Sequence, residues 1–164
     1  MGDSIEIERR FLLNDDSWRN GSVAEKITQV YLCVDPQRVI RVRMTEKQAQ
    51  LTLKSDINGL SRHEFEYTIP LEHASIIADI MGLGVVEKRR YGLWVAGLFW
   101  EIDEFLGANQ GLLLAEVELK WEDQDFLRPS WVGEEVTHDH RYSSAYLSCH
   151  PYIRWPCGVN NDRS

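Results

Sequence analysis

The sequence has no long apolar run, few cysteines and few prolines. Its 164 residues include 5 prolines and 11 glycines, too few for a disordered or fibrous chain. No apolar run reaches the ~18 residues of a membrane span, and the N-terminus lacks the apolar core of a signal peptide. The cysteines are odd in number and form no C-x-x-C pair, which is typical of free thiols in a reducing compartment; they are Cys33, Cys149 and Cys157. These absences predict a cytoplasmic protein without a membrane partner.

A surplus of basic side chains is also missing. The chain carries 26 acidic and 18 basic side chains, for a formal net charge of -8. Affinity for a phosphate backbone needs Lys and Arg on the binding face, so we expect no nucleic-acid partner. A small polyanionic ligand remains compatible with this charge. The length and the 43% hydrophobic content predict one folded domain, residues 1–157, followed by a polar tail, residues 158–164.

Apolar and polar residues alternate with a period of two over most of the chain. Ile5 and Ile7, for example, alternate with Glu6 and Glu8. This period is typical of half-buried strands. Turn signals such as Asn58-Gly59 separate the segments. We predict eight strands, near residues 4–13, 28–35, 38–47, 49–55, 61–69, 84–95, 98–106 and 111–121.

Helical periodicity is confined to short segments. Leu71 to Met81 follows Pro70, which suits a first helical turn, and Ser143 to Cys149 forms a second segment. A weaker helical pattern covers Asn14 to Lys26. Antiparallel strands with a few peripheral helices indicate an α+β fold, and eight strands are enough to close a barrel.

The charges on these strands are sorted by sign. Residues two apart on a strand point to one face, about 7 Å apart. The acidic pairs would repel each other without a cation among them, and Mg²⁺ or Mn²⁺ prefers carboxylate oxygen. The basic pairs, joined by Lys54 and Arg62, match an oxygen-rich anion such as a phosphate chain. The pairs are Glu6/Glu8, Glu64/Glu66, Glu116/Glu118, Arg41/Arg43 and Lys88/Arg90.

This pattern predicts a polar barrel interior with metal on an acidic side and polyphosphate on a basic side. The apolar partners on the same strands would then face outward and be covered by the helices. They are Ile7, Val42, Leu53, Phe65, Val117 and Leu119.

The ordered motifs resemble those of the triphosphate tunnel metalloenzymes, the CYTH superfamily. Glu6-Ile7-Glu8-Arg9-Arg10 looks like the family signature E-x-E-x-K, with Arg10 where lysine is usual. The resemblance runs from about residue 4 to 148 and is greatest to the short bacterial branch with inorganic tripolyphosphatase activity. Its further motifs are Arg41-x-Arg43, Thr52-Leu53-Lys54, Arg62-x-Glu64-x-Glu66, Lys88-Arg89-Arg90, Glu101-x-Asp103 and Glu116-Val117-Glu118.

The resemblance implies an eight-stranded antiparallel barrel, or tunnel, that binds a triphosphate and one or two Mg²⁺ or Mn²⁺ ions. It also suggests that Tyr31 closes one tunnel mouth. The implied metal side comprises Glu6, Glu8, Glu64, Glu66, Asp103, Glu116 and Glu118. The implied phosphate side comprises Arg41, Arg43, Lys54, Arg62, Lys88 and Arg90.

The catalytic assignment depends on Arg10. The signature lysine of the family is a candidate base, but a guanidinium stays protonated in proteins. Lys54, or a glutamate such as Glu66 acting through metal-bound water, would therefore activate the nucleophile.

Hydrolysis of inorganic triphosphate is the leading functional hypothesis. An organic triphosphatase acting on thiamine or nucleoside triphosphate, an adenylyl cyclase of the same fold, and a non-catalytic polyphosphate-binding module remain open alternatives. A homodimer is also left open.

Overall fold

The computed structural model describes residues 5–19, 23–56 and 61–156. The predicted Asn58-Gly59 turn and Cys157 lie outside these residues. The described chain forms nine strands and two α-helices. The strands are β1 (Ile5–Leu13), β2 (Ala24–Asp35), β3 (Arg38–Met44), β4 (Ala49–Asp56), β5 (Ser61–Ile69), β6 (Gly84–Val95), β7 (Leu98–Phe105), β8 (Leu113–Glu118) and β9 (Val132–Glu135); the helices are α1 (Leu71–Met81) and α2 (Ser144–Cys149).

Eight of the strands close into an antiparallel barrel. Their order is β1-β5-β4-β3-β2-β6-β7-β8, and β8 returns to β1. One edge of β1 pairs with β8. Two strands pair with the opposite edge: Ile5–Ile7 pair with β5, whereas Phe11 and Leu13 pair with β9. The predicted eight-stranded α+β barrel is thus confirmed, with β9 as one additional strand.

Local sequence explains the tight connection between β6 and β7. Val95 pairs with Leu98, which leaves two turn residues, Ala96 with φ 49° and Gly97 with φ 80°. Positive φ at both central residues matches the right-handed twist of the flanking strands. Gly97 adopts this conformation at little cost, because it has no Cβ.

Apolar side chains pack on the outside of the barrel and at one of its ends. Val42 is fully buried beneath Ala74 of α1, as predicted. Val117 and Leu119 are also buried, but they pack in a cluster with Trp18 and Trp131 instead of a helix. Phe65 remains 45% exposed, so the prediction that a helix covers it is wrong.

One further prediction is wrong, and one strand is missing from the predicted set. The segment Asn14 to Lys26 is not an α-helix: the described part contains a single 3₁₀ turn, Ser17–Arg19, and β2 begins at Ala24. Strand β9 is absent from the prediction. In the part of the chain that the structure describes, no helix is both long and apolar enough to cross a membrane.

Candidate active site

The inward faces of the strands enclose a charged cavity of about 230 Å³. Strand alternation brings acidic and basic side chains from distant parts of the sequence to one interior. All but one of the charged residues predicted for the site line this cavity. They are Glu6, Glu8, Arg10, Arg41, Arg43, Lys54, Arg62, Glu64, Glu66, Lys88, Arg90, Glu116 and Glu118.

The cations and carboxylates in the cavity are not separated into two sides. Arg10 Nε donates to Glu116 at 2.7 Å, and its Nη2 donates to Glu8 at 2.7 Å. Lys54 Nζ lies 3.0 Å from Glu6 Oε2 and 2.7 Å from Glu64 Oε2. The prediction of distinct acidic and basic sides is therefore wrong for Arg10 and Lys54, whose cations lie among the carboxylates. The strand register explains the pairing, since Arg10 is opposite Glu116 and Lys54 is opposite Glu64.

Arg10 is held as a permanent cation. Burial by itself lowers the pKa of its guanidinium, but the charges of Glu116 and Glu8 outweigh burial and raise the pKa above its ordinary value. Arg10 therefore cannot take up the proton of an attacking water.

Asp103, the remaining predicted site residue, lies behind the cavity wall and is 1% exposed. Its Oδ2 accepts from Lys88 Nζ at 2.5 Å, and both of its oxygens accept from Arg90, at 2.7 and 2.8 Å. Burial raises the pKa of Asp103, but the charges of Arg90 and Lys88 outweigh it and lower the pKa. Both carboxylate oxygens are thus engaged by cations.

Lys88 has a pKa close to the neutral range. Burial lowers the pKa of its ammonium to about 8, and the charge of Arg90 acts in the same direction, against the attraction of Asp103.

Arg41 differs from the other buried cations because no acidic side chain among the described residues forms an ion pair with it. It is 7% exposed, and its Nε has no hydrogen-bond partner within the described structure. The neighbouring Arg43 has only a distant partner, Glu66, at 3.7 Å. Burial and the charges of Arg41 and Arg90 lower the pKa of Arg43. Burial lowers the pKa of Arg41, but Tyr31 and the charge of Glu64 outweigh it and raise the pKa. Neither guanidinium has a close carboxylate partner among the described residues, which favours an anionic ligand.

Carboxylates crowd another part of the cavity. Burial raises the pKa of Glu6, Glu8 and Glu118, and neighbouring carboxylates raise each further. For Glu118 these neighbours are Glu6, Glu64, Glu8 and Glu101. This part of the interior therefore has an excess of negative charge that a cation would relieve. Within the described ranges, however, no three potential ligands already converge on a common point.

Glu101, which lines the cavity, and Gln29, which is buried behind its wall, are residues that sequence reasoning did not assign to the site. Glu101 lies 2.8 Å from Arg90 Nη1; the motif Glu101-x-Asp103 predicts only Asp103 as a site residue. Tyr31, which the family resemblance suggested, also lines the cavity, is 1% exposed and packs in a cluster with Leu147 of α2; that it closes a tunnel mouth stays a prediction. Gln29 is fully buried beside the arginine pair, and no charge pattern could have indicated it.

The closed barrel with a charged interior is the arrangement that the sequence motifs imply. A family model described as the CYTH domain matches residues 4–145. The chain belongs to the CYTH domain family.

Relatives within this family carry an enzymatic name. The chain is 39% identical over 148 residues to an inorganic triphosphatase of Acetivibrio thermocellus, covering 90% of this chain and 95% of that protein. It is 37% identical over 148 residues to an inorganic triphosphatase of Nitrosomonas europaea, covering 87% and 96%. The crystal structure of the inorganic triphosphatase NE1496 superposes with a TM-score of 0.62 at 34% identity, covering 87% of this chain and 93% of that one.

Proposed function

We propose that this chain is a hydrolase that converts inorganic triphosphate to pyrophosphate and phosphate with the help of Mg²⁺ or Mn²⁺. The buried Arg41, unpaired by any described carboxylate and adjacent to Arg43, is the observation that carries the proposal. Guanidinium groups match phosphate oxygens through paired N–H donors. The relatives named inorganic triphosphatase support the same activity. Cys33 and Cys149 form no disulfide within the described residues, which accords with a cytoplasmic location that we also propose.

The crowded carboxylates fit a hard divalent cation. We propose that Glu6, Glu8, Glu64 and Glu118 would hold it, because carboxylate oxygens are the ligands that Mg²⁺ and Mn²⁺ prefer. When bound, such a cation neutralises phosphoryl oxygens and acidifies water. Glu66 and Glu116 line the same cavity. The engagement of both Asp103 oxygens by Lys88 and Arg90 argues for a positioning role instead of metal ligation.

The reaction breaks one phosphoanhydride bond. A water oxygen attacks a terminal phosphorus, the bond to the bridging oxygen breaks, and pyrophosphate leaves with the electron pair. Arg41, Arg43, Lys88 and Arg90 would bind the phosphoryl oxygens and neutralise the charge that moves onto the leaving group. Arg62 lines the same cavity and would contribute a further charge.

Water must also lose a proton, and Glu66 is a suitable acceptor. Its side chain is 32% exposed, and its Oε1 has only long contacts, 3.3 Å to Thr52 and 3.7 Å to Arg43. Lys54 Nζ lies between two carboxylates, 3.0 Å from Glu6 Oε2 and 2.7 Å from Glu64 Oε2, so its N–H donors are already engaged. We therefore propose that Glu66 accepts the proton and that Lys54 orients Glu6 and Glu64.

An organic triphosphate is a second candidate substrate because of one observation. A second cavity of about 300 Å³ adjoins the carboxylates and is lined by Trp94, Leu98 and Phe99. The Trp94 and Phe99 rings are 5.2 Å apart, and Trp94 is 74% exposed. Such aromatic surfaces stack against organic rings.

Phosphate release distinguishes the two substrates. Inorganic triphosphate, ATP and thiamine triphosphate are each incubated with Mg²⁺, Mn²⁺ or EDTA. We expect inorganic triphosphate to be preferred and EDTA to abolish turnover. Preference for an organic substrate, or formation of cyclic AMP, would support the second candidate. Tight binding without turnover would show a non-catalytic module.

Arg41→Ala tests the main observation. We expect a rise in KM of about tenfold or more, with a smaller change in kcat, because the lost contact is charge-assisted. Arg38→Ala is the matched control, since Arg38 lies on the same strand but is exposed. Its one ion-pair contact among the described residues is a long one, 3.5 Å from Nη2 to Asp35 Oδ2. Equal KM values for both variants would contradict the assignment.

A further inference from the structure

Gln29 is a neutral side chain buried beside two of the arginines that line the charged cavity. It lies on β2, is fully buried, and is opposite Arg43 in the strand register. Two residues further along β2, Tyr31 is opposite Arg41. The register thus places one amide next to both arginines of the proposed phosphate site.

The neighbours of the amide determine its orientation. With its oxygen toward the arginines, Gln29 accepts from Arg41 Nη1 at 3.1 Å and from Arg43 Nε at 3.3 Å. The opposite orientation would point amide N–H donors at guanidinium N–H donors, which cannot bond to each other. The other end of the amide is 3.5 Å from the Tyr31 hydroxyl. Gln29 therefore connects the two arginines through a single neutral acceptor.

This arrangement differs from that of the other buried cations. Arg10 is paired with Glu8 and Glu116, Lys54 with Glu6 and Glu64, and Lys88 with Asp103. Each of these carboxylates fixes its cation and also cancels part of its charge. An amide oxygen can fix a guanidinium by hydrogen bonding while cancelling no formal charge.

We propose that Gln29 is a positioning residue that fixes Arg41 and Arg43 while leaving both of their charges available to the triphosphate. This inference rests on the proposed function, because it concerns the affinity of the same site for its substrate. In this proposal, Gln29 contributes to the affinity for triphosphate through Arg41 and Arg43 and does not itself bind phosphate.

Gln29→Glu separates charge from geometry. Glutamate has nearly the same shape and accepts the same hydrogen bonds, but it would neutralise one guanidinium charge. We expect KM for inorganic triphosphate to rise about tenfold or more, with kcat changed by less than about threefold. Calorimetric binding of triphosphate in EDTA should weaken by a similar factor. The melting temperature should be equal to or above that of the wild type, since a carboxylate binds guanidinium groups firmly.

Two further variants complete the experiment. Gln29→Met removes the acceptor without adding charge, and we expect a smaller rise in KM than for Gln29→Glu. Gln48→Glu makes the same chemical change in the exposed turn between β3 and β4 and should leave KM unchanged. A wild-type KM in Gln29→Glu, a larger rise in Gln29→Met, or loss of folding in Gln29→Glu alone would overturn the inference. A wild-type protein that neither binds nor hydrolyses triphosphate would instead overturn the proposed function.

Discussion

Lys88 donates to Asp103 at 2.5 Å, and both side chains are almost completely buried, with exposed fractions of 2% and 1%. Arg90 donates to the same carboxylate. Because a buried cation depends on its counter-charge for stability, Asp103 is the central group of this cluster.

Asp103→Asn should destabilise the fold strongly, because it removes the carboxylate that pairs with the buried Lys88 and one of the carboxylates that pair with Arg90. We expect a loss of about 3–5 kcal/mol in the free energy of unfolding, measured by urea denaturation. Glu104→Gln is the control on the same strand, since Glu104 is more exposed and should cost about 1 kcal/mol or less. The Mg²⁺ concentration for half-maximal activity of any folded Asp103→Asn protein should remain unchanged. A large increase in that concentration would indicate metal ligation by Asp103.

Arg10→Lys should change turnover more than substrate affinity. Arg10 donates to Glu8 and Glu116 through different nitrogen atoms, whereas a lysine offers a single ammonium group. The two carboxylates would therefore be held less rigidly. We expect kcat to change several-fold and KM by less than about twofold, measured by phosphate release with saturating Mg²⁺. An unchanged kcat would remove Arg10 from the chemistry.

Glu118→Gln should weaken the binding of the metal ion at the site. Glu118 lies among carboxylates that raise its pKa, so its charge contributes directly to cation affinity. We expect the Mg²⁺ concentration for half-maximal activity to rise about tenfold, with a smaller rise for Glu66→Gln. Glu46→Gln, in the exposed turn after β3, is the control. Wild-type Mg²⁺ titrations for both site variants would contradict the acidic-cluster assignment.

Glu135 should make stability depend on pH under acidic conditions. Hydrogen bonds from Arg9 lower the pKa of this β9 carboxyl to about 2, despite the opposing effect of burial, and Thr137 and Arg128 contribute further. A depressed carboxyl pKa adds stability above the unfolded-state value of about 4.3 that is lost as pH falls through the folded-state value.

Glu135→Gln should therefore lower the free energy of unfolding by about 1–3 kcal/mol at pH 7. This difference from the wild type should shrink between about pH 4.5 and pH 2, measured by urea denaturation across that range. Glu134→Gln alters the exposed neighbouring carboxylate and should show no such trend. A constant difference across this range would contradict the role of Glu135.

The barrel was predictable because its charges and apolar residues alternate strictly. Pairs such as Glu6/Glu8 and Arg41/Arg43 indicated both the strands and the face that points inward. The start of β2 was missed because Ala24, Glu25 and Lys26 show no such alternation. Strand β9 was missed because four residues with two adjacent glutamates give too short a signal.

The sequence predicted which charged residues line the cavity better than it predicted which of them form ion pairs with one another. A period of two identifies inward-facing charges, but it cannot show which strands become neighbours or in which register. The pairing of Arg10 with Glu116, 106 residues away, depends on barrel closure. Gln29 illustrates the same limit, because a neutral residue acquires its role only when register places it beside Arg43.

The shared edge of β1 has a consequence for the order in which the chain folds. This strand precedes the other eight in chain order, yet it pairs with β5, β8 and β9, which extend to residue 135. Until those segments emerge from the ribosome, β1 has unpaired backbone groups along both edges. Contacts between such distant parts of a sequence slow folding and prolong the lifetime of aggregation-prone intermediates. The nascent chain must therefore keep β1 available for pairing until the segment that ends at Glu135 has been made.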